Sequence, residues 1–141
     1  MATGEKLNEL LQLLQLEQIE ENIFRAQHPA GRRGRLYGGQ IMAQALMAGG
    51  RTVSDSLNAH SLHGYFLRPG DPKVPAVIRV ERARDGRSFA TRRILVTQRG
   101  EAIFNMDASF QIVESGLDHQ VEMPAMQPPP EDKIPPALYD E

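Results

Sequence analysis

The sequence of 141 residues contains no cysteine and no tryptophan, and aromatic residues make up only 6% of it. Without cysteine, the chain has no disulfide framework, no thiolate nucleophile and no cysteine-based zinc site. The stability of its fold must therefore come from the packing of side chains.

Long apolar runs and a strong excess of one charge are also missing. No stretch approaches the roughly 18 apolar residues that a membrane helix needs, and the N-terminus lacks a basic region followed by an apolar run. Sixteen basic and eighteen acidic residues give a net charge of -2, so the overall field gives no reason to expect nucleic acid or an anionic membrane as a partner. We expect a cytoplasmic protein that binds a small molecule or another protein chain.

The length and the 40% of hydrophobic residues suffice for one domain with its own core, which we place at residues 1–117. Residues 118–141 differ in composition, with prolines at positions 124, 128–130, 135 and 136. Such a stretch cannot pack into a sheet, so it is predicted to be a proline-rich linker or tail. Because domain boundaries fall in stretches of this kind, a linker to a second domain is the favoured interpretation.

The first 35 residues predict a helix, a strand and a loop. Leu7, Leu10, Leu11 and Leu14 recur at helical spacing, which indicates a short amphipathic helix lying against something larger. Residues 16–27 have a weaker pattern, which we interpret as a strand. Residues 28–35 are rich in glycine, proline and arginine and are predicted to form a loop.

A second helix is predicted between two glycine pairs, Gly38-Gly39 and Gly49-Gly50. The apolar residues between them cover nearly every direction around the helix axis, so the helix should be buried on most sides. We expect the first pair to allow a tight turn into the helix and the second pair to end it with a left-handed cap. In a domain of this size, only a sheet that curls around the helix can bury so much of it.

The remaining sequence predicts four antiparallel strands at residues 57–67, 76–81, 89–98 and 102–112, separated by turn signals. The last strand has the clearest pattern, with six apolar residues on one face at period two. They are Ala102, Phe104, Met106, Ala108, Phe110 and Ile112. The sequence therefore predicts an α+β fold in which a curled antiparallel sheet wraps around a central helix.

Several ordered segments resemble the amino-terminal hotdog domain of the thioesterase II family of acyl-CoA thioesterases. They are Tyr37-Gly38-Gly39-Gln40, the segment at 60–71 (His-Ser-Leu-His-Gly-Tyr-Phe-Leu-Arg-Pro-Gly-Asp), the segment at 84–89 (Arg-Asp-Gly-Arg-Ser-Phe) and Ala108-Ser109-Phe110-Gln111. The resemblance implies a hotdog fold and hydrolysis of acyl-CoA to free fatty acid and CoA by a protein with two hotdog domains in tandem. In that family the Asp, Thr or Ser, and Gln credited with activating water belong to the second hotdog, and this sequence ends before it.

Two residues are the candidates for catalysis, Gln40 and His60. Hotdog thioesterases commonly place a carboxylate near the start of the buried helix, beside backbone N–H groups that bind the oxyanion. Gly38 and Gly39 would supply those N–H groups, but Gln40 cannot act as a base; it orients either a water or the thioester, or it only bonds nearby backbone. His60 is the candidate base because imidazole exchanges protons near neutral pH, and the alternative is a half-buried sheet histidine. Alternation places His60 on the face of Leu62 and His63 on the opposite face.

The resemblance also implies a substrate-binding loop at residues 84–88. The candidate contacts to acyl-CoA are Gly38, Gly39, Arg68, Arg84, Asp85, Arg87 and Ser88. Arginines pair well with phosphate oxygens, so Arg84, Arg87, Arg92 and Arg93 could meet the CoA phosphates, although the same four could form a solvated face. The sequence calls for no metal ion and no cofactor.

Three functions compete at this point. The first is an acyl-CoA thioesterase domain, and the second is a catalytically silent hotdog that binds acyl-CoA or only builds a dimer. The third is a dehydratase acting on carrier-protein substrates, which needs a His and an acid across a dimer interface, and no persuasive pair is present. We expect either a homodimer or a partnership with a second hotdog domain, in which two strands pair into one continuous sheet.

Overall fold

The computed structural model describes residues 2–28 and 34–127. Within these residues, two helices and six strands follow one another along the chain. They are α1 (Ala2–Leu13), β1 (Glu17–Glu20), β2 (Ile23–Ala26), α2 (Gly38–Gly50), β3 (Leu57–Phe66), β4 (Ala76–Asp85), β5 (Phe89–Gln98) and β6 (Glu101–Ile112). Most of the predicted loop at 28–35 and the prolines from position 128 onward lie outside the described residues.

All six strands form one antiparallel sheet in the order β1-β2-β4-β5-β6-β3. The four long strands predicted from the sequence are present, and β5 has the predicted bounds. The single strand expected at 16–27 is wrong, because the chain turns at Glu21 and Asn22 and returns as a second strand. Arg25 and Glu17 face each other across this hairpin and form a bidentate ion pair with bonds of 2.8 Å.

The core lies between one face of the sheet and α2. Alternate residues of β4, β5 and β6 point toward the helix, as the period-two pattern predicts. On β6 the four central apolar residues are almost completely buried: Phe104, Met106, Ala108 and Phe110. Ile78 and Ile94 from the two neighbouring strands are fully buried beside them.

The central helix is less enclosed than expected. Its buried residues are Gln40, Ile41, Gln44, Ala45, Ala48 and Gly49. Met47 is 39% exposed, and Met42 and Leu46 are only partly buried. The prediction of burial on most sides is therefore wrong, because the sheet covers one side of the helix and remains open.

The end of α2 also differs from the prediction. Gly49 and Gly50 lie inside the helix, and Arg51 caps it in the right-handed helical region, with its N–H bonded to the carbonyl of Met47. Gly49 instead permits a close approach to the sheet, since a Cβ there would lie 2.9 Å from Cδ1 of Ile94. The glycine at this position is explained by packing and not by a left-handed cap.

Helix α1 does not bury its apolar stripe against the described part of the chain. Leu7, Leu10 and Leu11 are each half exposed. The expectation that this helix lies against something larger is not met within the described residues. Among those residues, no helix has the length and hydropathy needed to span a membrane.

Candidate functional site

The first candidate region is the N-terminal turn of α2. The backbone N–H groups of Gln40 and Ile41 both donate to the carbonyl of Tyr37, at 3.1 and 3.3 Å. The N–H groups of Gly38 and Gly39 have no acceptor within the helix, as is general for the first turn. These two groups lie at the positive end of the helix dipole, so they can donate to an oxygen that carries negative charge.

A cavity of about 380 Å³ adjoins this turn. Its wall is largely apolar, with arginines at two positions. The lining residues are Arg35, Leu36, Gly38, Ile41, Phe66, Leu67, Arg68, Pro69, Gly70, Ile103 and Phe104. A Cβ at Gly38 would lie 2.8 Å from Cζ of Phe66, so glycine keeps the turn and the aromatic ring in close contact. The cavity can therefore take an apolar chain whose polar end reaches the helix amides.

Arg68 is held at the rim of this cavity. Its Nη1 atom donates to the carbonyl of Ala102 at 2.8 Å, and its Nε atom lies 3.2 Å from the carboxylate of Glu101. Both Arg68 and Glu101 are more than half exposed. The guanidinium is thus positioned at the cavity, but it is already paired with an anion.

Gln40 turns its side chain into the protein and is not among the residues that line the cavity. It is 7% exposed, and its Nε2 atom lies 3.1 Å from Nδ1 of His28. Because an amide nitrogen only donates, His28 accepts through Nδ1 and carries its proton on Nε2. Burial lowers the pKa of His28 below its ordinary value, which favours this neutral form.

Three buried polar atoms of this pair and of Gln44, four residues further along α2, have no hydrogen-bond partner among the described residues: His28 Nε2, Gln40 Oε1 and Gln44 Oε1. Sequence reasoning missed His28 because a histidine in a predicted loop gives no sign that it will meet a helix twelve residues later. The contact depends on the path of the chain between β2 and α2.

His60 lies on a β-bulge. Ala59 pairs with Phe110 and Ser61 pairs with Ser109, so His60 is an extra residue between two successive pairs. Its Nε2 atom lies 2.8 Å from Oγ of Ser109, and its ring meets Phe89 edge-on at 5.9 Å. A bulge shifts the alternation of side chains by one residue.

The bulge overturns the predicted faces of the two histidines. Ser109 and Asp107 alternate with the buried residues of β6, and they therefore point away from α2. His60 bonds Ser109, and His63 pairs with Asp107, so both histidines lie on this outer face. The prediction that His60 shares a face with Leu62, opposite His63, is wrong. Strict alternation along β3 does not allow for the extra residue of the bulge, which the sequence does not indicate. The polar partner of His60 that the sequence did not identify is Ser109.

The loop at residues 84–88 forms a tight turn, with the N–H of Gly86 bonded to the carbonyl of Phe89 at 2.8 Å. The carbonyl of Ser88 accepts from the N–H of Ile112 at 3.1 Å, which holds the loop beside the end of β6. One oxygen of Asp85 accepts from Arg92. Arg84 and Arg87 have no ion-pair partner among the described residues.

The four arginines considered for phosphate binding fall into three classes. Arg92 is completely buried. Arg93 lies on the outer face between two carboxylates, 3.5 Å from Glu81 and 3.4 Å from Asp107. Only Arg84 and Arg87 are left as exposed cations without an internal anion in the described part of the chain.

The structure brings the candidate residues together in two groups at opposite ends of the sheet. Gly38, Gly39, Gln40 and Arg68 lie at the cavity end, and His60, Arg84, Asp85, Arg87 and Ser88 lie at the other. His60 and Phe66 are six residues apart on β3, which at about 3.3 Å per residue amounts to about 20 Å. One copy of this chain therefore does not bring Gln40 and His60 to one point. Across the described ranges, no group of three or more potential metal ligands is close enough to hold an ion.

Comparison with known proteins agrees with this architecture. Residues 26–111 match the family described as the acyl-CoA thioesterase N-terminal domain. The chain is 48% identical to acyl-coenzyme A thioesterase 8 of Mus musculus over 126 residues, covering 86% of this chain and 38% of that protein. The crystal structure of the acyl-CoA thioesterase II TesB2 from Mycobacterium marinum superposes with a TM-score of 0.75 and 48% identity, covering 86% of this chain and 45% of that one.

A more distant structure identifies the fold. A conserved protein of unknown function with a hotdog fold, from Alicyclobacillus acidocaldarius, superposes with a TM-score of 0.74 at 23% identity, over 88% of this chain and 47% of that one. The predicted hotdog fold is thereby confirmed. The chain spans less than half the length of these relatives.

Proposed function

Because this chain belongs to the family of acyl-CoA thioesterase N-terminal domains, we propose that it is one hotdog domain of an enzyme that hydrolyses acyl-CoA to free fatty acid and CoA. The observation that carries the proposal is that the first turn of α2 adjoins an apolar cavity: Gly38 lines the cavity, and the N–H groups of Gly38 and of Gly39, the next residue, have no acceptor within the helix. Such an arrangement suits a thioester, which joins an apolar chain to a polar carbonyl.

The reaction assigns a role to each part of this region. The acyl chain lies in the cavity against Ile41 and Phe66, and the thioester oxygen accepts from the two helix amides. Water adds to the carbonyl carbon, the negative charge on oxygen is stabilised by the amides, and the carbon–sulfur bond then breaks. CoA leaves as the thiolate and takes up the proton released by the water.

The phosphate-bearing end of CoA is assigned to the loop at residues 84–88. Arg84 and Arg87 are the exposed cations in this loop that form no ion pair with a described carboxylate. Guanidinium groups bind phosphate oxygens through two parallel hydrogen bonds, so this pair suits a phosphorylated nucleotide.

A second hotdog domain, from another copy or from a longer polypeptide, is proposed to pair with β3. This edge strand has ten residues, all but two of them exposed, and it contains no charged residue and no proline. Edge strands that remain unpaired are normally protected by such residues, which favours pairing of β3 with another strand. Antiparallel pairing of two β3 strands would place the cavity end of one domain beside the His60 end of the other.

His60 remains the candidate base in this joined arrangement. If its Nε2–H donates to Ser109, the lone pair on Nδ1 is free to accept a proton. The proposal gives Gln40 a different role, because its buried side chain is fixed against His28 and supports the first turn of α2.

A catalytically silent domain is the second candidate. One observation favours it: the first turn of α2 contains no acidic residue, so a carboxylate to activate water is missing from the turn that would hold the thioester. In that case this domain binds acyl-CoA and builds the dimer, and hydrolysis belongs to a partner domain.

A thiol reagent that reports free CoA separates the two functions. Purified protein of this sequence is mixed with an acyl-CoA, and acyl-CoA binding is measured in parallel. Saturable release of CoA above background supports the enzyme, while binding without release leaves the silent domain. If the folded protein neither binds acyl-CoA nor releases CoA, both assignments are overturned.

A further inference from the structure

The guanidinium of Arg92 is buried under the proposed CoA-binding loop, and its side chain is 1% exposed. Its N–H groups make five hydrogen bonds. Nε donates to the hydroxyl of Thr52 at 2.7 Å, and Nη2 donates to the carbonyl of Thr52 at 2.9 Å and to the carboxylate of Asp85. Nη1 donates to the carbonyls of Arg84 and Thr91, both at 2.9 Å. Since a guanidinium has five donors, none is left for a ligand.

These bonds connect two parts of the fold that the chain order keeps apart. Thr52 follows the end of α2, and its hydroxyl donates in turn to the carbonyl of Gly49 at 2.7 Å. Arg84 and Asp85 end β4, where the register shifts by a bulge before the loop begins. One buried cation therefore fixes the start of the loop to the C-terminal end of the central helix.

Stability alone is a weak reason for this arrangement. Burying a charge is unfavourable, and replacing a buried ion pair with apolar side chains is often neutral or stabilising. The carboxylate that faces Arg92 is itself 57% exposed, so its attraction is partly screened by solvent. Two of the five bonds do fix the start of the loop, because they hold the carbonyl of Arg84 and the carboxylate of Asp85.

We propose that Arg92 is a positioning residue, which touches no substrate but holds the loop at 84–88 so that Arg84 and Arg87 can bind the phosphates of CoA. The inference rests on the proposed function, because it takes the loop to be the phosphate contact. Arg92 then has a different role from Arg84 and Arg87, although nothing in the sequence distinguishes the three arginines.

The test compares two ligands. CoA carries the phosphates, whereas an acyl thioester of N-acetylcysteamine presents the reacting group without a nucleotide. The dissociation constant of each is measured for the wild type, Arg92→Lys, the double variant Arg84→Ala/Arg87→Ala and the combination of all three changes. Lysine keeps the charge but has only three donors and no planar fork.

We expect Arg92→Lys to raise the dissociation constant of CoA by about tenfold and to leave that of the small thioester unchanged. The double variant should weaken CoA binding similarly, and adding Arg92→Lys to it should weaken binding no further, because residues that act through one contact are not additive. Thr52→Val provides a second test if Arg92→Lys fails to fold. Thr52→Ser, which keeps the hydroxyl, should restore CoA binding.

The outcomes separate this inference from the proposed function. If wild type binds CoA and the double variant binds it more weakly, but folded Arg92→Lys binds it normally, the positioning role is overturned and the function stands. If the double variant binds CoA as well as the wild type, the loop is not the contact and the inference falls. If wild type does not bind CoA at all, the proposed function itself has failed.

Discussion

The imidazole of His60 and the hydroxyl of Ser109 are joined by a 2.8 Å hydrogen bond on the outer face of the sheet, away from α2. The bond exists because a bulge between Ala59 and Ser61 turns His60 to that face. Bulges of this kind commonly redirect a side chain beside a functional site.

Deleting His60 should remove the bulge and leave the sheet intact. Ala59 and Ser61 already pair with adjacent residues of β6, so the shortened strand retains both pairs. We expect the deletion to lower the unfolding free energy by about 1 kcal/mol, the size of one hydrogen bond. Urea unfolding followed by circular dichroism measures this change.

The matched control for the deletion is His60→Ala, which removes the imidazole but keeps the bulge. If His60 is the base, both variants should lose acyl-CoA hydrolysis equally while remaining folded. A deletion variant that fails to fold would contradict the description of His60 as an extra residue in the ladder.

Gly38→Ala should impair acyl-CoA binding, because the added methyl group would meet the ring of Phe66 at 2.8 Å. Pushing that ring aside narrows the cavity, and overfilling of this kind is unfavourable by about 1–3 kcal/mol. Binding is measured by titration with a non-hydrolysable acyl-CoA. Gly50→Ala in the same helix is the control, since no atom lies within 4 Å of its added methyl group. Equal loss of binding in both variants would contradict the assignment of this cavity as the acyl-binding site.

Protonation of His28 should destabilise the fold. Burial lowers the pKa of His28 in the folded state below its ordinary value of 6.5, so the unfolded state binds the proton more tightly. The contribution of neutral His28 to the free energy of unfolding is therefore fully present above pH 6.5. It is lost as the pH falls through the lowered folded-state pKa. Urea unfolding at pH 7, 6 and 5 should show this loss.

His28→Gln should abolish that part of the pH dependence, because glutamine does not titrate and still offers an acceptor to Gln40. His119→Gln, at an exposed position, should leave it unchanged. If His28→Gln and the wild type show the same dependence of unfolding free energy on pH, protonation of His28 is not the cause of the loss of stability.

Pairing of β3 should be sensitive to charge at its exposed positions. We expect the wild type to form dimers at micromolar concentration and Tyr65→Lys, at a 61% exposed position of β3, to weaken them by at least about tenfold through like-charge repulsion. Ile19→Lys introduces the same charge on the opposite edge strand and should remain dimeric. Light scattering that finds a monomeric wild type would rule out pairing between copies of this chain.

Local patterns in the sequence predicted the four long strands and the central helix, but not the hairpin formed by β1 and β2. The six apolar residues of β6 alternate over a length that only a strand accommodates, and the glycine pairs delimit α2 within a residue of its observed bounds. These features depend on neighbours in the chain. The four long strands and α2 could therefore be predicted without knowing any long-range contact.

The candidate site could not be assembled in the same way. A bulge is defined by two strands together, so the sequence of β3 alone placed His60 on the wrong face. His28 meets Gln40 through the path of a loop, and Arg92 occupies an inward position of β5 that a charged residue normally avoids. Each of these contacts joins residues that lie far apart in the sequence or breaks a local rule.

The central claim is that the amides of Gly38 and Gly39 receive the carbonyl oxygen of an acyl-CoA. Nuclear magnetic resonance of the ¹⁵N-labelled protein can test it during titration with a ketone analogue of acyl-CoA, which keeps the carbonyl but cannot be hydrolysed. The account predicts that the amide protons of Gly38 and Gly39 move downfield in a saturable manner, while those of Gly49 and Gly50 do not. Saturable binding that leaves Gly38 and Gly39 unshifted would contradict it.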